Sequence, residues 1–198
     1  MTNNNISALI LAGGKSSRMG KDKALIKVDG QPLLQRTCEV ALQCADSVFV
    51  ITPWGEKYRQ IVPPKCQIIH EKLTEFHGPL VAFSQGLIHL QTAWVLLLAC
   101  DLPFLNAKEI KAWLSYLPQV EAQALAFLAQ NSKGWEPLCG FYRRSCLPLL
   151  QEFITQGGRS FQKWLTFHPV EVLPVQNPQV LFNCNTPEDL QQLSPLKY

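Results

Sequence analysis

A short, largely apolar run, Ile6-Ser7-Ala8-Leu9-Ile10-Leu11, leads almost at once into the paired glycines Gly13-Gly14. A run this short and uniform fits a strand buried on both faces, and a sheet built from such strands needs helices on both sides. Val48-Phe49-Val50-Ile51, Cys66-Gln67-Ile68-Ile69 and Trp94-Val95-Leu96-Leu97-Leu98 read as further buried strands. Ala124–Ala129 and Trp135–Tyr142 follow, with strand pieces at Val170–Val175 and Val180–Phe182. Helical spacing appears between them. It runs from Gln31, with Pro32 in the first turn, and returns at Glu56–Gln60, Leu80–Gln91, Ser145–Thr155 and Ser160–Phe167. Asn106 and Glu109 form a capping-box pattern ahead of Ile110, Trp113 and Leu117, and Thr186-Pro187-Glu188-Asp189-Leu190 predicts a capped last helix. The alternation predicts an α/β fold in one continuous domain over residues 1–198. Ligands of such sheets bind beyond the carboxyl ends of the strands, where strand order reverses. Leu11–Lys23 and Cys100–Pro103 are the segments at such ends.

Composition removes several function classes. Of 198 residues 47% are hydrophobic and 17% charged, which excludes a disordered or collagen-like chain. Lys plus Arg total 18 against 15 for Asp plus Glu, a formal +3 with no long basic run, so no nucleic-acid partner is expected. The longest apolar run, Ala93–Cys100, is far below the roughly 20 residues of a membrane span. The seven cysteines contain no C-x-x-C pair and read as reduced, apolar thiols. Met1–Asn5 offers no basic flank for an export signal, and the expected location is the cytoplasm.

With a nearly balanced charge, any anion site has to be local. Leu11–Ala24 gathers three glycines, four cations (Lys15, Arg18, Lys21 and Lys23) and two hydroxyls between a strand and a helix. Glycines let backbone N–H groups approach a phosphate, and Arg18 and Lys23 can neutralise its oxygens, so a nucleoside triphosphate is the natural guest. Neither common phosphate loop matches. Gly14 and Gly20 enclose five residues where the P-loop has four, and Asp22 stands where that loop needs a hydroxyl. The dinucleotide fingerprint lacks its spaced glycines. Asp101, at the end of the Trp94 strand, is placed either to hold Mg²⁺ against a triphosphate or to cap the following turn. The adjacent triphosphate loop favours the metal role.

The string L-A-G-G-K-S-S-R-M-G-K-D-K-A resembles the signature loop of the molybdenum cofactor guanylyltransferases, within the sugar-1-phosphate and molybdopterin nucleotidyltransferases. A-C-D-L-P-F around Asp101 resembles that family's magnesium-binding segment, and Gly78-Pro79-Leu80 and Asn183-Cys184-Asn185-Thr186-Pro187 match further motifs. The resemblance implies a Rossmann-like three-layer α/β/α nucleotidyltransferase fold with a mostly parallel sheet. The amino-terminal part would bind nucleotide and the carboxyl-terminal part molybdopterin. It implies GTP rather than CTP, because cytidylyl-transferring relatives usually carry Ala-Ala-Gly where this chain has Ala12-Gly13-Gly14. The implied reaction is transfer of GMP from GTP to the terminal phosphate of molybdenum-molybdopterin, releasing pyrophosphate.

Carried over residue by residue, the resemblance makes Arg18, Lys23 and Asp101 catalytic, with Asp101 the Mg²⁺ ligand. Leu11, Ala12, Gly13, Gly14, Lys23, Glu71, Gly78 and Asp101 would contact nucleotide, and Asn183, Asn185 and Arg159 the acceptor. Two positions depart from the family pattern. Glu71 stands where relatives carry Asp, and Thr52-Pro53-Trp54 where they often carry Asn. Transient contacts with proteins that deliver molybdopterin and receive the finished cofactor are implied too. Two alternatives stay open: a cytidylyltransferase or sugar-phosphate guanylyltransferase of the same fold, and a nucleotide-binding regulatory module without catalysis.

Overall fold

Strand β1 (Ile6–Leu11) is buried along its whole length because it lies in the middle of a sheet. The computed structural model describes residues 5–14, 22–72, 78–184 and 189. After β1 come a small ribbon of β2 (Lys27–Val28) and β3 (Gln31–Pro32), then α1 (Leu33–Leu42), β4 (Ser47–Thr52), α2 (Gly55–Tyr58) and β5 (Cys66–His70). The chain continues through α3 (Pro79–Leu87), β6 (Trp94–Ala99), α4 (Ala107–Leu114), β7 (Ala126–Asn131) and β8 (Gly134–Arg143). It closes with α5 (Leu147–Thr155), α6 (Phe161–Leu165) and β9 (Val170–Val172).

The main sheet has seven strands in the order β5-β4-β1-β6-β8-β7-β9. The pairs β4–β5, β1–β4, β1–β6 and β7–β9 are parallel, while β8 runs against both β6 and β7. The mostly parallel α/β expectation holds.

Strand alternation sends successive side chains to opposite faces, and two cores result. On one face Ala8, Ile10, Val48, Val50, Leu96 and Leu98 pack under Leu34 and Cys38 of α1 and Ile110 and Trp113 of α4. On the other, Leu9, Leu11, Phe49, Ile51, Val95 and Leu97 meet Leu80 and Phe83 of α3, Leu150 of α5 and Trp164 of α6. This double cover is why β1, β4 and β6 are near-continuous apolar runs. Five of the seven cysteines are buried and none is bridged.

Three local expectations change. The helix expected from Gln31 begins at Leu33, because Gln31-Pro32 pairs with Lys27-Val28 across a two-residue turn. In that turn Asp29 and Gly30 both have positive φ, the backbone a tight hairpin requires. The helix expected over Leu80–Gln91 stops at Leu87. Of Val180–Phe182, expected as a strand, Val180 and Leu181 belong to a 3₁₀ turn over Pro178–Leu181 and Phe182 caps it; the Asn177 side chain accepts from the Gln179 N–H and Pro178 opens the turn. The Asn106 cap forms as expected, accepting from the Glu109 N–H. Of the last expected helix only Asp189 lies among the described residues. Among these residues no helix is long and apolar enough to cross a membrane.

Candidate active site

Strands β4 and β5 lie on one side of β1 and β6 on the other, so strand order reverses beside β1. The carboxyl ends of β1 and β6, registered at Leu11 and Ala99, open a crevice at that reversal. Ala12–Gly14, leaving β1, and Cys100-Asp101, leaving β6, both border it.

Lys23 and Asp101 meet there. The Lys23 Nζ donates to Asp101 Oδ2 at 3.0 Å, with side chains only 20% and 15% exposed. A lysine is brought to this point by a 3₁₀ turn, Lys23–Leu25, started by Asp22, whose Oδ1 accepts from the Ala24 N–H at 3.1 Å. The pair lies at a cavity of about 320 Å³. Leu11, Ala12, Gly13, Gly14, Lys23, Glu71, Gly78 and Asp101 all line it, so every nucleotide residue expected from the sequence converges on one space. Ile51, Ala82 and Leu138 add apolar wall.

A side chain at Gly13 would crowd its neighbours across the cavity. A Cβ there would lie 2.5 Å from Glu71 Oε2 and 3.1 Å from Pro53 Cδ. Gly78 opens α3 with φ +81°, a conformation that disfavours side chains. The Glu71 N–H donates to the Thr52 carbonyl at 2.9 Å, which sets its carboxylate over the β1 loop. Burial raises the Glu71 carboxyl above the ordinary carboxylate range, and neighbouring His70 partly opposes this. Burial, reinforced by the carboxylates of Asp101 and Asp22, keeps the Cys100 thiol protonated.

The two described acceptor candidates are held by different contacts. The Cys184 N–H donates to the Asp101 carbonyl at 3.0 Å, bringing neighbouring Asn183 beside the crevice, where its Nδ2 donates to the Leu181 carbonyl. The Arg159 guanidinium donates to the carbonyls of Ile154 and Gly158 at 2.7 and 2.6 Å, closing the end of α5. Arg18 and Asn185 fall outside the described residues, as do Lys15 and Lys21.

Sequence reasoning missed three residues around this cavity. Thr52 is fully buried, and its Oγ1 donates to the Ala12 carbonyl at 2.6 Å. Tyr58 donates its hydroxyl to Asp22 at 2.8 Å, and Lys57 Nζ reaches the same carboxylate at 2.5 Å. No local pattern links α2 to a carboxylate 35 and 36 residues earlier, so spacing could not have found them.

Residues 8–172 match the MobA-like NTP transferase domain. A relative from Nostoc sp., described as "Probable molybdenum cofactor guanylyltransferase", is 56% identical over 187 residues, covering 94% of this chain and 89% of its own. The molybdenum cofactor guanylyltransferase of Pseudomonas entomophila is 33% identical over 185 residues, covering 92% and 94%. Among solved structures, molybdopterin-guanine dinucleotide biosynthesis protein A of Archaeoglobus fulgidus superposes with a TM-score of 0.78 at 21% identity, over 94% of this chain and 96% of that one. A nucleotidyl transferase from Methanothermobacter gives 0.79 at 16% identity over 96% of each chain. These two share the fold. With its signature loop, its Lys23–Asp101 pair and near end-to-end relatives, the chain belongs to the MobA-like NTP transferase family of molybdenum cofactor guanylyltransferases.

Proposed function

We propose that this chain transfers GMP from GTP to the terminal phosphate of molybdenum-molybdopterin, forming molybdopterin guanine dinucleotide and releasing pyrophosphate. The observation that carries the reading is the Lys23–Asp101 pair, set against the glycine loop at the carboxyl end of a parallel sheet in a chain with guanylyltransferase relatives.

An acceptor phosphate oxygen attacks the α-phosphorus of GTP. A new P–O bond forms there, and the bond from that phosphorus to the bridging oxygen of pyrophosphate breaks. The acceptor phosphate is already ionised, so no general base is needed and catalysis consists of alignment and charge neutralisation. Lys23 and Arg18 neutralise phosphate oxygens, and the backbone N–H groups of Gly13 and Gly14 donate to them. Glu71, ionised, accepts from the guanine N1–H and 2-amino group. Asn183 and Asn185 hydrogen-bond the acceptor, and Arg159 joins them only by leaving the two carbonyls it now holds.

The residues present fit a divalent cation. Asp101 turns a shielded carboxylate to the cavity and already holds one cation, the Lys23 ammonium. Among the described residues no three potential metal-ligating side chains cluster, so the protein offers Asp101, with phosphate oxygens and water left to complete the shell, as Mg²⁺ prefers. When bound, Mg²⁺ supplies positive charge to the phosphates during transfer.

The reading makes residues 1–198 one domain whose amino-terminal part takes nucleotide and whose carboxyl-terminal part takes the acceptor. It sets the reaction in the cytoplasm, with transient contacts to proteins that deliver molybdopterin and receive the product. Pyrophosphate release from GTP, molybdenum-molybdopterin and Mg²⁺ tests it, alongside thermal protection by GTP and by CTP. Turnover with CTP in place of GTP would make the chain a cytidylyltransferase. Nucleotide protection without turnover would make it a regulatory module.

A further inference from the structure

The loop between Ala12 and Asp22 is held at both ends by one short stretch of chain. At its entrance, the Thr52 hydroxyl donates to the Ala12 carbonyl at 2.6 Å and accepts from the Trp54 N–H at 3.0 Å, while the Ala12 N–H donates to the Ile51 carbonyl at 3.0 Å. At its exit, Asp22 takes three donors: the Ala24 N–H, the Tyr58 hydroxyl at 2.8 Å and Lys57 Nζ at 2.5 Å. Thr52 is fully buried and Tyr58 nearly so. Both hydroxyls are thus in a low-dielectric setting, where the hydrogen bonds are strong and their loss leaves a polar partner stranded.

We propose that Thr52 and Tyr58 are positioning residues that fix the two ends of the phosphate loop before nucleotide arrives, with Lys57 as an auxiliary grip on Asp22. The inference rests on the GTP reading of the cavity. Neither side chain needs to touch the reacting atoms. Tyr58 acts through Asp22, which starts the turn that aims Lys23 at Asp101. Thr52 acts through Ala12, whose neighbours Gly13 and Gly14 present their backbone to the cavity. Holding Ala12 and Asp22 in place before nucleotide arrives lowers the ordering cost of binding, so the bracket strengthens nucleotide binding by preorganisation. It also assigns Asp22 a role different from that of Asp101. Both line the cavity, but the Asp22 carboxylate is occupied by three protein donors and serves as an anchor.

Thr52→Val and Tyr58→Phe each delete one hydroxyl and keep most of the side-chain volume. The expected result is GTP affinity, by calorimetry, weakened about tenfold in each, with the acceptor KM within twofold of wild type. Thr52→Ser, which restores the hydroxyl, should recover most of the loss. Unfolding midpoints establish that the variants are folded; should Thr52→Val fail to fold, Tyr58→Phe alone decides. Unchanged GTP affinity in the folded variants overturns the proposal, and so does an equal rise in both KM values, which marks general loosening. Wild-type protein that neither binds nor turns over GTP instead overturns the parent reading, and the bracket as a GTP device falls with it.

Discussion

Lys23 and Asp101, 78 residues apart in the chain, form an ion pair of 3.0 Å across the mouth of the crevice between β1 and β6. The partly shielded pair gathers one positive and one negative group where a triphosphate and its cation both have to be accommodated. Removing either charge should cost most of the turnover. Lys23→Ala and Asp101→Ala are expected to lower kcat/KM by about 100-fold or more, the scale of losing a preorganised charge from a transition state. Circular dichroism and unfolding midpoints should stay close to wild type, and near-normal activity in either variant would refute the assigned roles.

The same contact predicts how a divalent ion meets the protein without nucleotide. The Lys23 ammonium stands against the carboxylate the ion needs, so binding has to displace or repel a charge. Lys23→Met should therefore bind Mn²⁺ more tightly than wild type in the absence of GTP, by electron paramagnetic resonance titration. Asp101→Asn should bind it more weakly than either. Equal affinity in wild type and Lys23→Met would show that the ammonium does not compete.

The proposed role of Glu71 links pH to nucleotide affinity. Burial raises its carboxyl above the usual range, so it takes up a proton at a higher pH than an exposed glutamate as pH falls. In the proposed function the ionised form is the one that accepts from guanine. GTP affinity should weaken on acidification from neutral pH, beginning above the ordinary carboxylate range, and Glu71→Gln should be weaker at neutral pH and lack that limb. Stability moves the other way. The folded state holds the proton more tightly than the unfolded one, so this group's contribution is greatest below its unfolded pKa and is lost as pH rises through the raised folded value. Glu71→Gln should thus unfold at a slightly higher temperature at neutral pH, and a lower midpoint would contradict the sign.

Gly13 and Glu71 should behave as one unit. The methyl of Gly13→Ala would sit 2.5 Å from Glu71 Oε2 and push that carboxylate aside. Because both changes disturb the same contact, Gly13→Ala and Glu71→Gln should be non-additive in GTP affinity when combined, and strict additivity in a double-mutant cycle would separate them.

On the acceptor side, the proposed role of Asn183, next to the Cys184–Asp101 bond, predicts that Asn183→Ala raises the acceptor KM several-fold and leaves the GTP KM nearly unchanged. A KM shift confined to GTP would move Asn183 to the nucleotide half.

Much of the parallel half of the sheet is legible in the sequence because β1, β4 and β6 are buried on both faces and are therefore predominantly apolar, their few hydroxyls being hydrogen-bonded. Gly13, Lys23 and Asp101 are legible for a related reason: strand ends are marked by the break in apolar sequence, and chemistry collects there. The ribbon was harder, because Pro32 reads equally well as a helix start and as the last residue of a two-residue strand. The 3₁₀ turn at Pro178 shows the limit of three-residue apolar runs, which have no period to read. Thr52 and Tyr58 were hidden for a deeper reason. Their partners Ala12 and Asp22 are 40 and 36 residues away, and only the pairing of β1 with β4 brings α2 to the loop.

The reversed strand β8 has an architectural outcome. Its last register pair with β6 joins Cys139 to Leu98, so Gly134–Leu138 run on past the end of β6, where Gly134 and Trp135 still pair with β7 and Leu138 faces the cavity. This chain's crevice therefore takes wall from the antiparallel strand as well as from the parallel ones: Leu138 lies on the part of β8 beyond its last pair with β6, and Gln162 of α6 holds nearby Trp135 through both its N–H and its carbonyl.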